Sequence, residues 1–372
     1  MKNFILLQIV PSLDSGGVEQ GTIDLAKGLI KNGYESFVVS NGGEMLRILE
    51  RYKITHFKLP VHSKNLITMY LNIWRLKNII NKNNINIIHV RSRAPAWSAF
   101  FCKSKKTKLI STFHNIYGHQ NIIKKKYNES LAKSDKIIAI SEYVKKSIIK
   151  IYNIEPKKIT VIHRGIDLNF FDLYNLKDED IINFMKKNFI PFDKKIILFP
   201  GRLTEWKGQL EFIEILKRIK NKNIFCIFVG DNKNINYLKK LNKKIYKNNL
   251  EHVCKILGNQ KNMPLIYKLS HIVVSAPLKG EGFGRTIAEA MAMKRLVIAY
   301  DFGGVKEQIQ DLPEINHVSP LNQDELLKKI LQCIEINDEE YINLTNKYYD
   351  IVLNKFNTKN MIDKTIELYQ SL

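Results

Sequence analysis

Cysteine is scarce in this chain of 372 residues: Cys102, Cys226, Cys254 and Cys333 lie far apart and form no CxxC pair. Such usage points to a reducing, cytoplasmic location, and two of the four, Cys226 and Cys333, fall in apolar periodic stretches where a thiol is a small buried hydrophobe. Long apolar runs are missing as well. None approaches the roughly 20 residues that span a bilayer. The N-terminal run 4–10 is interrupted by Gln8 and lacks a small-residue cleavage site, which argues against a signal sequence. Arginine supplies only 10 of the 59 basic residues. Nucleic-acid binding favours arginine forks interleaved with aromatics on one face. No such stripe occurs, so no nucleic-acid partner is expected. Phosphate-loop signatures are also absent, since neither GxGxxG nor GxxxxGK[ST] is found.

What is present suits a globular protein. A length of 372 residues exceeds what one core holds, so two domains of roughly 150–190 residues are expected. Hydrophobic residues make up 45% and aromatics 10%, which leaves little room for disorder. The net charge of +23 comes mostly from lysine. Two sources stand open: drift in a lysine-, asparagine- and isoleucine-rich composition, or attraction for phosphates, nucleic acid or an anionic membrane.

Short β-rich runs alternate with amphipathic stretches along most of the chain. The first half carries strand candidates at 4–10, 34–40, 56–59, 85–90, 108–112, 136–140 and 160–162, with helical stretches such as 18–32, 66–83 and 142–152. Several strands are apolar without strict alternation, as parallel strands covered on both faces should be. The pattern breaks over 167–190 and resumes at 195–199, 224–229, 253–256, 271–275 and 296–299. Repeated βαβ units of this kind build open, doubly wound parallel sheets. Three terminal helices, near 322–335, 338–354 and 357–371, have no strand to cover and read as a brace returning to the first domain.

Three segments carry chemistry. In "LDSGGVEQGTIDLAKGL", residues 13–29, Gly16 and Gly17 sit where a strand passes into a helix. Bare backbone there lets a ligand approach, and the helix start offers N–H groups and about half a positive charge. A tight turn without a ligand is the alternative. In "FPGRLTEWKGQLEFIEIL", 199–216, Arg202 and Lys207 flank the turn after the first strand of the second half. Two cations and a helix N-terminus can neutralise a diphosphate, and open α/β sheets bind ligands at strand carboxyl ends. In "PLKGEGFGRTIAEAMAMKRLVIAYDFGGVKEQI", 277–309, Glu281 lies in a glycine-rich loop. Glu289 lies in the helix that follows, on a face read as otherwise filled by Ala288, Ala290 and Ala292. The helix start presents the N–H groups of Phe283, Gly284 and Arg285. A carboxylate on such a face must accept donors, and a ribose diol is one natural pair.

"EGFGRTIAEAMAM…VIA…GGVKEQI" resembles the E-x7-E signature of retaining nucleotide-sugar glycosyltransferases of family 4, the glycosyl transferases group 1, which have the GT-B fold. The resemblance also covers "SGGVEQ", the pair His114–Asn115, "AISEYVKKSI", "VIHRGIDLNFF" and "GRLTEWKG", in family order. It implies an α/β chain of two Rossmann-like domains facing across a cleft. Residues 1–167 would form the acceptor-side domain, with helix 356–372 packed on it. Residues 168–190 would be a connector and 191–355 the nucleotide-sugar-binding domain.

The resemblance also implies roles. Gly16 and Gly17 would line the sugar and diphosphate, Arg202 and Lys207 would bind the diphosphate, and Glu281 and the 283–285 N–H groups would contact the transferred sugar. Glu289 would bind ribose, and His114 would sit near the reacting centre. Transfer from a nucleoside diphosphate needs the leaving charge stabilised. The sole DxD, Asp178–Glu179–Asp180, reads as helix N-terminal charge, so departure without a metal or other cofactor is expected. A UDP-sugar is the default donor by family frequency. In "VRSRAPAWSAF", 90–100, Ser92 and Arg93 are acceptor candidates, against a reading of plain surface charge. The acceptor is expected to be a glycan or a lipid-linked glycan of bacterial lipopolysaccharide or envelope synthesis. The lysines of 103–108 and 117–127 could add a peripheral contact with the anionic inner membrane. Rival readings are a sugar-nucleotide epimerase or glycoside phosphorylase on the same fold, and a polyanion-binding module.

Overall fold

The unbroken apolar runs become strands, and each strand leaves its sheet through a helix. This is a computed structural model that describes residues 4–14, 16–118, 121–221 and 223–372. Two units emerge, one of Met1–Gly165 with Thr358–Leu372 and one of Ile166–Asn357.

The first unit contains β1 (Ile5–Ile9), β2 (Glu35–Ser40), β3 (His56–Lys58), β4 (Ile87–Val90), β5 (Lys108–Phe113), β6 (Lys136–Ala139) and β7 (Ile159–Val161), ordered β3-β2-β1-β4-β5-β6-β7. Every pairing is parallel, with Leu7 set between Phe37 and Ile88. Both sheet faces are covered, which is why β4 reads IIHV with no exposed position. Polar side chains fix the helix starts: Asn65 accepts from the N–H groups of Ile67 and Thr68, and Ser141 from that of Val144.

Helix Arg93–Cys102 lies outside the amphipathic stretches read from the pattern. Its Ala94, Ala96, Ser98 and Ala99 are all buried, so no polar stripe marks it. Of the three terminal helices only Thr358–Gln370 belongs to the first unit; Gln323–Glu335 and Asp338–Ile351 stay with the second. Met361, Ile362, Ile366 and Tyr369 join Phe4, Leu6, Leu25 and Leu29 in one buried cluster. At about 2 kcal/mol for each large side chain buried, this helix supplies an essential part of the core.

The second unit contains β8 (Lys195–Pro200), β9 (Ile224–Val229), β10 (Cys254–Gly258), β11 (Ile272–Ser275), β12 (Leu296–Tyr300) and β13 (His317–Val318), ordered β10-β9-β8-β11-β12-β13 and again parallel. The two-residue β13 has too little length to show in the sequence pattern. Its neighbour Asn316 is buried and donates to the Val297 carbonyl at 2.6 Å and to the Tyr348 hydroxyl at 2.7 Å. Residues 168–190, read as a connector, include the helix Asp178–Lys187 and group with this unit. The four cysteines are free and buried. Among the described residues no helix is long and apolar enough to cross a membrane.

Helix Gly17–Lys31 meets helix Thr358–Gln370 at Gly28, where an added Cβ would stand 2.5 Å from Ile362 Cδ1. Gly28→Val should therefore destabilise the protein by about 1–3 kcal/mol through overpacking. Urea denaturation measures this, and an unchanged midpoint would show that the two helices do not touch there.

Candidate active site

In a doubly wound sheet the strand order reverses once, and the loops that part there leave a crevice at the carboxyl ends. The reversal falls between β1 and β4 in the first unit and between β8 and β11 in the second. Gly16 and Gly17 follow β1, Ser92 and Arg93 follow β4, and His114 comes directly after β5. Arg202 and Lys207 follow β8, and Glu281 follows β11.

In the second unit the two assignments read separately from the sequence meet. Lys207 Nζ lies 2.6 Å from Glu281 Oε1, and both side chains are nearly buried, at 12% and 11% exposure. The Leu278 N–H donates to the Trp206 carbonyl at 2.8 Å, which ties the loop after β11 to the turn after β8. The Lys207 ammonium also lies 4.6 Å over the Trp206 ring. Glu281 is held from its backbone. The Gly304 N–H donates to the Glu281 carbonyl at 2.7 Å, and a Cβ on Gly303 would stand 2.5 Å from that same oxygen. The glycine pair after β12 is thus what lets the carboxylate loop lie flat against it. Arg202 is exposed, and among the described residues nothing ties down its side chain. Its carbonyl accepts from Gln209 Nε2 at 2.9 Å, which fixes the turn.

Helix Arg285–Ala292 begins after Gly284, whose φ of 84° is left-handed. Gln308 Nε2 donates to the Phe283 carbonyl and, at 3.3 Å, to that of Gly284, so the carbonyls of the loop are turned toward the protein. Phe283 is buried, with its ring 5.7 Å from Phe356. Glu289 is buried, and its donors are protein groups: Arg285 Nε at 2.6 Å from Oε1 and Tyr267 Oη at 2.9 Å from Oε2. Burial and the neighbouring carboxylate push the Tyr267 hydroxyl's pKa well up, so it stays a donor. The reading of one face shared with three alanines needs correction. At 100° per residue Ala288 and Ala290 point away from Glu289, and only Ala292 lies a turn along the same side. Asp178, Glu179 and Asp180 occupy the first turn of their helix, with Asp178 2.8 Å from Lys268.

In the first unit Gly16, with φ of 139°, caps the helix Gly17–Lys31, and both glycines are exposed. The Gly17 carbonyl accepts from Arg164 Nη2. Arg164 is buried, and its guanidinium fills the space that a Cβ on Gly21 would need. Sequence reasoning gave Arg164 no role. The available signal was Gly21, since glycine inside a helix costs about 1 kcal/mol and marks a close approach. Beside it lies a buried polar chain, in which Arg91 Nε donates to Gln8 Oε1 at 3.2 Å. His89 bonds Tyr369 Oη and Thr112 Oγ1, each at 2.6 Å. Burial pushes Arg91 down to about 10, which leaves it charged at neutral pH.

Burial, then Arg164, Arg91 and His89, push His114 well below 6.5, and its Nε2 is buried without a partner among the described residues. His114 is therefore a neutral imidazole with one ring nitrogen unused. Ser92 caps helix Arg93–Cys102 without a side-chain bond. Arg93 donates from Nη1 to Asn128 Oδ1 at 3.1 Å and lies 4.4 Å over the Tyr117 ring.

Comparison with known proteins supplies the family and the fold. The pattern of Glycosyltransferase Family 4 matches residues 15–170, and that of Glycosyl transferases group 1 matches residues 180–349. An uncharacterized glycosyltransferase of Methanocaldococcus jannaschii is 30% identical over 74% of this chain and 72% of its own. The crystal structure of a glycosyltransferase from Rickettsia africae superposes with a TM-score of 0.91 at 36% identity, covering 100% of this chain and 99% of that one. Anabaena HepE, solved in complex with UDP and glucose, shares the fold with a TM-score of 0.86 at 21% identity over the full length of both chains.

The depressed His114 pKa has a stability consequence. The unfolded chain takes up a proton near pH 6.5 and the folded one does not, so acidification below that value costs stability. His114→Gln should lose about 1 kcal/mol less per pH unit than the parent as pH falls below 6.5, by urea denaturation at each pH. Parallel pH dependences would contradict a buried neutral His114.

Proposed function

The chain belongs to the glycosyltransferases of family 4, the glycosyl transferases group 1, and from that premise we propose that it moves a sugar from a nucleoside diphosphate to a glycan or lipid-linked acceptor with retention of anomeric configuration. The observation that carries the reading is the Lys207–Glu281 pair beside the untethered Arg202 at the strand-order reversal of the second unit.

Transfer breaks the bond between the anomeric carbon and the diphosphate oxygen, whose electron pair leaves with the diphosphate, while the acceptor hydroxyl oxygen bonds the anomeric carbon and its proton passes to the departing diphosphate. Arg202, Lys207 and the N-terminus of helix Arg285–Ala292 supply positive potential for that developing charge. A metal ion is not part of this proposal, because these groups perform its electrostatic task. Glu281 exchanges its lysine partner for sugar hydroxyls when Lys207 turns to phosphate. Glu289 is pre-oriented by Arg285 and Tyr267, and each of its oxygens keeps a second lone pair for a ribose hydroxyl. The Gly16–Gly17 turn gives the sugar-diphosphate room, and His114, neutral and with Nε2 unpartnered, offers a polar atom to the transferred sugar. Ser92 and Arg93 face the acceptor. Retention rests on the family resemblance, as do a role in bacterial lipopolysaccharide or envelope synthesis and a cytoplasmic site of action with peripheral contact to the anionic inner membrane.

Three experiments test this. Glu281→Gln, and Arg202→Gln with Lys207→Gln, should each lower transfer by about 100-fold or more. Radiolabelled sugar incorporation reads the loss, with circular dichroism to confirm the fold. Full activity in the double variant would overturn the assignment, and NMR of the product's anomeric proton decides retention. Thermal shifts with UDP-, GDP- and ADP-sugars identify the donor, the bound one stabilising by about 2.7 kcal/mol at 100 times its Kd. The UDP in Anabaena HepE makes UDP-sugars the first to try.

A further inference from the structure

The first unit contains a pocket of about 550 Å³ among helices Leu66–Lys82, Arg93–Cys102 and Ile122–Asn128. Ligand sites commonly fall in the range of about 300–1,000 Å³. Its lining is divided by chemistry. Leu66, Met69 and Ile123 supply hydrocarbon, while Lys64, Arg93 and Lys124 supply positive charge, and no acidic residue lines it. Trp97 and Tyr127 also line it, and Trp97 Nε1 and Tyr127 Oη are buried with no hydrogen-bond partner among the described residues. Burial pushes the Tyr127 hydroxyl's pKa up, so it too remains a donor. Two buried donors without acceptors are costly. Arg93, whose guanidinium is already oriented by Asn128 and Tyr117, and the two lysines offer an oxygen-rich anion its charge partners.

The mouth of the pocket is apolar and wet. Leu66, Ile67, Ile122 and Ile123 are 72–83% exposed, and the same helix face continues through Tyr70 and Trp74. Lys124, Lys125 and Lys126 follow directly. Hydrocarbon, an exposed apolar rim and cations without acids together describe the complement of an anionic amphiphile.

We propose that this pocket binds the phosphate head and the first part of the hydrocarbon chain of a lipid phosphate, so that the acceptor is lipid-linked. This rests on reading the first unit as the acceptor side. The head lies against Arg93, Lys64 and Lys124, and the chain runs past Met69 toward Leu66 and Ile123. Arg93 thereby selects the class of acceptor.

Calorimetry on the full chain tests this with dodecyl phosphate below its critical micelle concentration. Dodecyl phosphate should bind about 100-fold more tightly than butyl phosphate, because the extra methylenes are buried. Dodecyltrimethylammonium should bind at least about tenfold more weakly than dodecyl phosphate. Arg93→Gln and Ile123→Asp should each weaken dodecyl phosphate about tenfold. Ile123 is so exposed that its variant carries the test even if Arg93→Gln fails to fold. Equal affinity for the butyl and dodecyl esters would overturn the proposal. So would binding unchanged in both variants, or equal binding of parent and variants to phosphatidylglycerol vesicles with none to monomeric dodecyl phosphate. Sugar-nucleotide binding is measured separately. Its absence with dodecyl phosphate still bound would remove the transferase reading and leave the pocket, whereas intact donor binding without dodecyl phosphate binding would remove the pocket alone.

Discussion

A parallel strand cannot return by a hairpin, and that constraint organises both units. Each strand must be followed by a crossover that begins at its carboxyl end. In the first unit this gathers residues 16–17, 92–93 and 114 at one edge of the sheet, although nearly a hundred positions separate them. In the second unit it brings Lys207 and Glu281, 74 residues apart, to 2.6 Å. The helices of such crossovers start where the strands end, so each sheet edge also collects helix N-termini and their positive potential.

The two edges handle charge differently. In the second unit the charges are paired: Glu281 with Lys207, and Glu289 with Arg285 and the Tyr267 hydroxyl. A nearly buried pair adds little stability by itself, but removing one partner strands the other in a poor solvent. Such a pair is suited to an exchange in which an incoming phosphate and sugar hydroxyls replace the protein partners. In the first unit the buried groups are mostly cations and neutral donors. Burial first, and then the charges of Arg91 and Arg164, keep His89 and His114 uncharged. A neutral imidazole beside two guanidiniums leaves the positive potential to side chains that cannot lose it at physiological pH.

Much of this was legible in the sequence for a physical reason. Strands buried on both faces are largely apolar, and short β-rich runs located twelve of the thirteen strands among the described residues. The candidate residues were legible because catalytic loops follow strands and carry glycine, where bare backbone is needed. The contacts between distant positions were not. Nothing local in "HRGID" pairs Arg164 with Gly21, and nothing near Lys207 names Glu281. Helix Arg93–Cys102 escaped notice because burial on several sides removes the polar stripe that periodicity detects. The face that Glu289 occupies was misread by treating successive helix positions as one side, and its protein donors, Tyr267 above all, lie too far along the chain to be read locally.

The same contrast bears on the basic composition. A net charge of +23 carried mostly by lysine says little about where anions bind, since lysine's flexible, strongly hydrated ammonium tolerates any exposed position. Arginine is more telling. Of 10 arginines, Arg91, Arg93, Arg164, Arg202 and Arg285 stand at the carboxyl ends of the two sheets or within the buried chain beneath them. Three of them do work that suits a planar fork better than a point charge. Arg164 reaches the Gly17 carbonyl, Arg93 lies over an aromatic ring while bonding an amide, and Arg285 locks a carboxylate. In a lysine-dominated chain the position of the guanidinium, more than the sum of charge, marks the contacts that the fold has built.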